Sequence, residues 1–335
     1  MGRLVSNKIL VTGGAGFIGS EFIRQIISKG FSPVILDALT YAGDLRRLES
    51  VKGKFTFYKI DIANQKKLLD IFRRERPAQV VHFAAESHVD RSILSDAEFV
   101  RTNIVGTQSL LSASRELGVK RFVHMSTDEV YGAIKKGLFK EDFPLMPSSP
   151  YSASKASADL LVRAYVHTFG FPALIVRASN NYGPWQYPEK FIPVVIYKAL
   201  TNQPIPVYAK GLNVREWLHI ADCAAGIFRV LQAGRAGEIY NIGSGDECRN
   251  IDLVYMMLKL LHAPKELITY VQDRPGHDWR YALDSTKIRR ELSWKPKVSL
   301  EEGMKETVRW NMANQHWLKQ KVKYLTNYWS KVYRS

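Results

Sequence analysis

Apolar residues recur in short runs along the first half of the chain, separated by stretches whose polar and apolar positions have helical spacing. The run KILVTGG reads as a strand entering a glycine turn; residues 20–29 then read as a helix and 33–36 as a strand. The alternation continues with a strand over 54–60, a helix over 65–74 and a strand over 79–84. A long helix over 97–117 and a strand over 121–126 follow, then a helix from 151 to about 170 and a strand over 172–177. Strands alternating with helices predict βαβ units and a parallel sheet covered on both faces. Beyond Ala178 the pattern loosens and prolines enter, at positions 184, 188, 193, 204 and 206, which predicts a smaller, loop-rich region built onto the sheet.

The glycine turn changes this from a fold class to a site. VTGGAGFIG places Gly13, Gly16 and Gly19 three apart, directly after a strand and before a helix. Glycines there permit a tight turn and let the backbone approach a pyrophosphate, which sits at the positive end of the helix. Asp37 ends the second strand, where a carboxylate can accept both ribose hydroxyls of an adenosine and repels a 2′-phosphate, so NAD is favoured over NADP. Asp61 and Ile62 end the third strand and are suited to flank the adenine. The expected architecture is a Rossmann-type, doubly wound α/β core with a smaller C-terminal substrate lobe. We set the NAD-binding core at 1–178, a lobe mainly within 179–320 but interleaved with the core, and a basic aromatic tail at 321–335.

Composition narrows the class. Of 335 residues, 46% are hydrophobic and 24% charged, as in ordinary globular proteins, and apolar runs long enough for a membrane span are absent. The N-terminus runs straight into the first strand, so no secretion signal is read. The two cysteines, Cys223 and Cys248, lack metal-ligand spacing and fit a reducing compartment, with the cytoplasm as the default. The net charge of +16 admits nucleic acid, an anionic membrane or a small polyanion as partner, but the charges are scattered and no nucleic-acid motif accompanies them. The densest cluster, Lys319, Lys321, Lys323, Lys331 and Arg334 among Trp317, Tyr324, Tyr328, Trp329 and Tyr333, reads as a solvated, partly docked tail.

Two constellations carry chemistry. Tyr151 and Lys155, four residues apart, share one helix face. A tyrosine serving as base near neutrality must lose about 4 kcal/mol of its reluctance to ionise. An ammonium about 4 Å away at an effective dielectric of ~20 supplies roughly that much. Lys155 can also bond a nicotinamide ribose, and Thr127 or Ser126 can hold a substrate hydroxyl. These residues resemble the extended short-chain dehydrogenase/reductase family. The second constellation is STDEVYG, residues 126–132, which sets Asp128 and Glu129 side by side at the end of a buried strand. Adjacent carboxylates repel, so one holds its proton more readily than the other. In a straight strand they would point to opposite faces, so sharing a ligand requires the chain to turn there.

Ten segments in order resemble the sugar-nucleotide 4,6-dehydratases: DALTYAG, AAESHVDRS, TNIVGT, STDEVYG, PYSASKA, SNNYGP, PEKFIP, NVREWLH, YNIGSG and DRPGHDWRYA. The resemblance implies oxidation at C4, water loss across C5–C6 with Glu129 as base and Asp128 as acid, and reduction at C6. It also implies NAD contacts from Gly13, Gly16, Phe17, Ile18, Gly19, Asp37, Asp61, Ile62, Ala84, Tyr151 and Lys155. The nucleotide diphosphate falls to Asn181, Lys190, Arg215, Asn250, Arg274 and His277, with Ser87 for sugar hydroxyls. Arg215 and Arg274 suit the phosphates because a planar fork matches their oxygens. A homodimer through the Tyr151 helix and the helix over 97–117 is implied as well. The chain departs from the family pattern at Ala209, where glycine is usual, at Trp279 beside Arg280, and in a shortened stretch between 133 and 150. Thymine and uracil differ by one methyl, so dTDP- and UDP-glucose both stand as substrates. Same-fold alternatives are a 4-epimerase or decarboxylase, which need no carboxylate pair, and outside catalysis a nucleotide-binding interaction protein.

Overall fold

The structure, a computed structural model, describes residues 7–333. Arg334, counted above with the basic tail, lies outside that range. The strands are β1 (Lys8–Thr12), β2 (Ser32–Asp37), β3 (Thr56–Lys59), β4 (Gln79–His82), β5 (Arg121–Thr127) and β6 (Ala173–Ala178). After them come β7 (Asn180–Tyr182), β8 (Ile205–Tyr208), β9 (Val214–His219), β10 (Ile239–Ile242), β11 (Glu247–Arg249) and β12 (Ile268–Val271).

A seven-stranded sheet in the order β3-β2-β1-β4-β5-β6-β10 forms the core, and every pairing in it is parallel. Its strands are buried on both faces by helices. Ile9 and Val11 of β1 enter one apolar cluster with helices Phe17–Ser28 and Ile220–Ala233; Leu10 enters the other with Gln65–Glu75, Thr107–Glu116 and Pro150–Phe169. That period of two, apolar in both directions, is why these strands read as continuous hydrophobic runs. The order reverses between β1 and β4, and at such a switch point the loops leaving the carboxyl ends of the strands open a crevice. The glycine turn leaves β1 there, and residues 83–88 leave β4.

Strand β10 and helix Ile220–Ala233 belong to the core sheet although they lie beyond residue 178, so the lobe is threaded through the core. The lobe carries a β11-β9-β7 sheet and a β12-β8 pair, packed with helices Phe191–Leu200, Asn250–Leu261 and Leu300–Ala313 around Tyr182, Trp217 and Met257. The C-terminal tail is docked more fully than the solvated, partly docked segment expected of it. Helices Gln315–Val322 and Thr326–Val332 bury Trp317, Leu318, Val322, Leu325 and Trp329 against Tyr187 and Val194. The sequence concealed this because the apolar positions are spaced among lysines, of which Lys319, Lys323 and Lys331 are exposed while Lys321 pairs with Asp44. Tyr324 alone of the tail aromatics is wide open, at 79% exposure.

The stretch over 97–117 is continuous but not uniformly α-helical: Val100–Gly106 is wound as a π-helix. Wider turns of this kind cluster at functional sites, and Asn103 sits within it.

Candidate functional site

The glycine turn is shaped by contacts no side chain tolerates. Gly13 has φ 69°, and a Cβ there would lie 2.5 Å from the Ala84 amide nitrogen. Gly16 precedes helix Phe17–Ser28 with no side-chain cap, which leaves the first-turn N–H groups free for an anion. Asp37 is tied into the same turn: its carboxylate accepts from the Ala15 amide at 2.9 Å and from the Leu39 amide at 2.8 Å. Burial raises its pKa, and these two bonds oppose the rise. Asp61 pairs with Arg101 and accepts from the Ala63 amide, while Ile62 is buried against Gly106.

Beyond the turn lies a cleft of ≈ 290 Å³. Gly13, Gly16, Phe17, Ile18 and Gly19 line one part of it; Thr127, Asp128, Glu129, Tyr151 and Lys155 line another. Asp37, Asp61, Ile62 and Ala84 stand outside this lining. The glycine cradle and open helix terminus fit a dinucleotide pyrophosphate, so the residues present suit NAD.

A hydrogen-bonded chain fixes the floor. The Ala84 amide donates to Thr12 Oγ1 at 3.3 Å, and Thr12 lies 2.7 Å from His82 Nδ1. His82 Nε2 meets Thr107 Oγ1 at 2.9 Å, and that hydroxyl donates to the Asn103 carbonyl at 2.6 Å. Since Thr107 spends its proton on Asn103, it accepts from His82, leaving Nδ1 to accept from Thr12. Burial lowers the His82 pKa to about 3, consistent with this neutral tautomer. The Asn103 side chain grips the Glu86 backbone in both directions, at 2.9 and 3.0 Å, and reaches Ser154 Oγ at 2.8 Å. Asn103 thus ties the loop after β4 to the Tyr151 helix. Sequence reasoning assigned it no role, although it lies in the TNIVGT segment; the signal was an amide in mid-helix directly before the apolar Ile104 and Val105.

Helix Pro150–Phe169 starts at a capping box, with Ser149 and Ser152 bonded reciprocally, and this sets Tyr151 at its first turn. Lys155 is buried and donates to the Met125 carbonyl at 2.7 Å. Burial lowers its pKa to about 8, with Asp159 one turn on opposing the fall. Asp159 is itself paired with Arg177 at 2.8 Å. Tyr151 hydrogen-bonds Thr127, which lowers its pKa, but burial and the nearby Glu129 outweigh that and hold it above the ordinary phenol value. The expectation that Lys155 brings Tyr151 down is therefore corrected for the protein alone, where desolvation is the larger effect.

The chain does turn after β5: Asp128–Tyr131 is a 3-10 turn, and both carboxylates reach the cleft. Their surroundings differ. Asp128 is buried, accepts from Thr127 Oγ1 at 3.1 Å, and its Oδ2 has no hydrogen-bond partner. Burial, Glu129 and Glu216 push its pKa well above the carboxylate range. Burial also raises Glu129, but Arg274, Arg215 and Lys190 pull it back. Both carboxyls are therefore raised, Asp128 well above the ordinary range and Glu129 against the opposing pull of three cations, so the neighbours hold their protons unequally.

A second cleft, of ≈ 150 Å³, shares Ser87, Glu129 and Lys190 with the first and adds Arg215, Asn250, Arg274 and His277. Asn181 lines only the first. Arg215 lies over the Tyr281 ring at 4.3 Å and donates to the Asp278 carbonyl at 2.9 Å. Arg274 is paired with Asp90 at 3.1 Å, and its Nε is buried without a partner. Burial lowers the His277 pKa to about 4, helped by Arg274 and Arg215. Six segments spread along the chain thus converge where a polyanion could be held beside the carboxylate pair. Ala209, at φ 49°, sits in the left-handed region that explains a usual glycine, and Trp279 is 52% exposed.

Comparison with known proteins agrees with this arrangement. Residues 10–307 match the family described as GDP-mannose 4,6 dehydratase. A dTDP-glucose 4,6-dehydratase of Neisseria meningitidis serogroup B is 48% identical, covering 92% of this chain and 94% of its own. One from Salmonella typhimurium is 47% identical, over 93% and 94%. Among solved structures, DesIV of Streptomyces venezuelae, a dTDP-glucose 4,6-dehydratase with NAD and TYD bound, superposes with TM-score 0.92 at 46% identity, covering 94% and 99%. The UDP-glucose 4-epimerase of Thermotoga maritima gives TM-score 0.87 at 31% identity, covering 92% and 99%. With a glycine-cradled dinucleotide cleft, a Tyr–Lys helix and a paired-carboxylate turn, the chain belongs to the GDP-mannose 4,6-dehydratase family.

Proposed function

We propose that this protein is an NAD-dependent hydro-lyase that converts a nucleoside-diphosphate glucose to its 4-keto-6-deoxy sugar, with dTDP-glucose the first substrate and UDP-glucose the second to test. The observation that carries the reading is Glu129, which lines both clefts beside a buried, proton-holding Asp128. NAD, when bound, supplies a hydride acceptor for C4 and later a donor for C6. Tyr151 takes the O4 proton, with Thr127 holding the hydroxyl and Lys155 the nicotinamide ribose. A ketone at C4 acidifies C5–H; Glu129 removes that proton, Asp128 delivers its own to the departing O6, and a proton returns to C5 when C6 is reduced. Arg215 and Arg274 hold the pyrophosphate, and the partnerless Arg274 Nε supports that placement. Asn181, Lys190, Asn250, His277 and Ser87 complete the substrate contacts, and Asp37, Asp61, Ile62 and Ala84 those of the adenosine half. Residues 1–178 supply most of the NAD site and 179–320 most of the substrate lobe.

A 4-epimerase has the same fold but does not require the carboxylate pair, which favours dehydration. The protein is further read as cytoplasmic, on its two unpaired cysteines, with no helix among the described residues long and apolar enough to cross a membrane. It is read as a homodimer, on the exposed Leu94, Val100, Val105 and Leu160 near and along the two helices expected to pair; a concentration-independent monomer in sedimentation would overturn that. The decisive experiment is mass spectrometry of dTDP-glucose and UDP-glucose incubated separately with the protein and NAD+. Loss of one water without net NADH is expected, and the relative rates name the base. No mass change with either overturns the reading.

A further inference from the structure

Behind the Tyr151–Lys155 face lies a buried charge cluster that the steps above leave unused. Asp159, one helical turn beyond Lys155, is fully buried. Its Oδ2 accepts from Arg177 Nε at 2.8 Å, while its Oδ1 has no hydrogen-bond partner and lies 3.5 Å from His124 Nε2. A carboxylate taken out of water with one oxygen unsatisfied is costly, and a buried ion pair is weak grounds for stability. The cluster is better explained by its effect on its neighbours.

Arg177 gives the carboxylate a fixed seat. It stands beside Ser126 in the sheet, its guanidinium lies 4.6 Å from the Tyr131 ring, and its Nη1 donates to the Glu141 carbonyl at 3.3 Å. The Tyr131 hydroxyl donates to Asn241 Oδ1 at 2.9 Å. Helix Pro150–Phe169, strand β6 and the turn carrying Asp128 and Glu129 are thereby pinned at one point. Around Lys155 stand Tyr151 and Asp159 on its own helix, His82 on β4 and His124 on β5, with Arg177 on β6 beyond Asp159. Asp128 and Glu129 line the same cleft. Burial keeps both histidines neutral. Asp159 is the anion that opposes loss of the ammonium. Its effect on Tyr151 ranks behind burial, Glu129 and Asp128.

We propose that Asp159 is a positioning residue of the reaction: it is the counter-charge that keeps Lys155 an ammonium beside Tyr151, and Arg177 anchors it there. Only the kinetic arm of the test rests on the dehydratase reading. Carbon NMR of the full, NAD-loaded chain, labelled at lysine Cε and assigned with Lys155→Arg, follows the Lys155 titration beside pH profiles of dTDP-glucose dehydration. Asp159→Asn keeps an oxygen for Arg177 and removes the charge. It is expected to lower the Lys155 titration by roughly one to three pH units and to draw the alkaline limb of kcat down with it, leaving KM unchanged. At mildly alkaline pH kcat should fall about tenfold. Asp159→Glu returns the charge and moves the titration back up. A folded Asp159→Asn whose Lys155 titration does not move overturns the proposal, as does a kcat loss that is equal at every pH. So does a Lys155 already uncharged at neutral pH in the wild type, a measurement that needs no variant. A wild type that dehydrates neither sugar overturns the dehydratase reading, while the lysine titration still decides the role of Asp159.

Discussion

The two clefts are walled with different materials. Around the glycine turn the wall is backbone: Gly13 presses on Ala84, the amides of Ala15 and Leu39 hold Asp37, and a helix end is left open. Around the carboxylate pair the wall is long charged side chains from distant segments, each held by a partner such as Asp90 or the Asp278 carbonyl. A backbone wall is set by local sequence and fails by steric clash. A side-chain wall is set by tertiary folding and fails by the loss of a charge.

Four substitutions test that contrast, from the largest effect to the smallest. Glu129→Gln keeps the shape of the side-chain wall and removes its base, so dehydration should fall by about 10²–10⁴-fold while oxidation at C4 survives. Single-turnover trapping of the 4-keto sugar checks this; a fall in C4 oxidation of the same size would move the base to an earlier step. Gly13→Ala attacks the backbone wall. An unfavourable φ and an impossible Cβ together cost roughly 2–5 kcal/mol, so NAD affinity should collapse, whereas dTDP binding, measured by calorimetry, should hold better. Arg274→Ala leaves Asp90 without its cation and should raise KM by about tenfold to a hundredfold, with NAD binding untouched. Ala209→Gly relieves a left-handed alanine in the lobe; after the entropy of glycine is subtracted, the melting temperature should rise by only ~1 °C.

Acidity gives a further contrast. Asp128 has a folded-state pKa above its unfolded value, so its ionised form opposes folding and that penalty grows as pH rises past the ordinary carboxylate range. Asp128→Asn should therefore be catalytically poor yet melt higher than the wild type at neutral pH, with the gain vanishing in acid. A variant less stable at neutral pH would show that the carboxyl contributes more through its Thr127 bond than it loses by burial.

The same division governs what the sequence revealed. Strands β1 to β6 and their helices were legible because each is a local apolar run next to a turn signal, and the glycine loop was legible because its chemistry is backbone chemistry. Strand β10 was not, since nothing local distinguishes YNIGSG as the closing edge of a sheet begun more than two hundred residues earlier. The π-helical turn at Val100–Gly106 was hidden because hydrophobic spacing does not record one extra residue per turn. The residues expected at the substrate could be named one by one from family likeness. Their convergence on Glu129, and the docking of the tail beside them, depend on contacts between segments that no window of sequence spans. The Tyr151–Lys155 spacing was correct, but spacing says nothing of desolvation, and burial decided the acidity.

Glu129 sits where two ligands would meet, and the three cations around it hold down its basicity. A pyrophosphate lodged against Arg215 and Arg274 would neutralise much of that pull, so the carboxylate would become a stronger base only once a nucleotide tail is in place. A free hexose entering the cleft would find the weaker base. The phosphate grip would then serve as a chemical password, arming the elimination for the tagged sugar and sparing the untagged one.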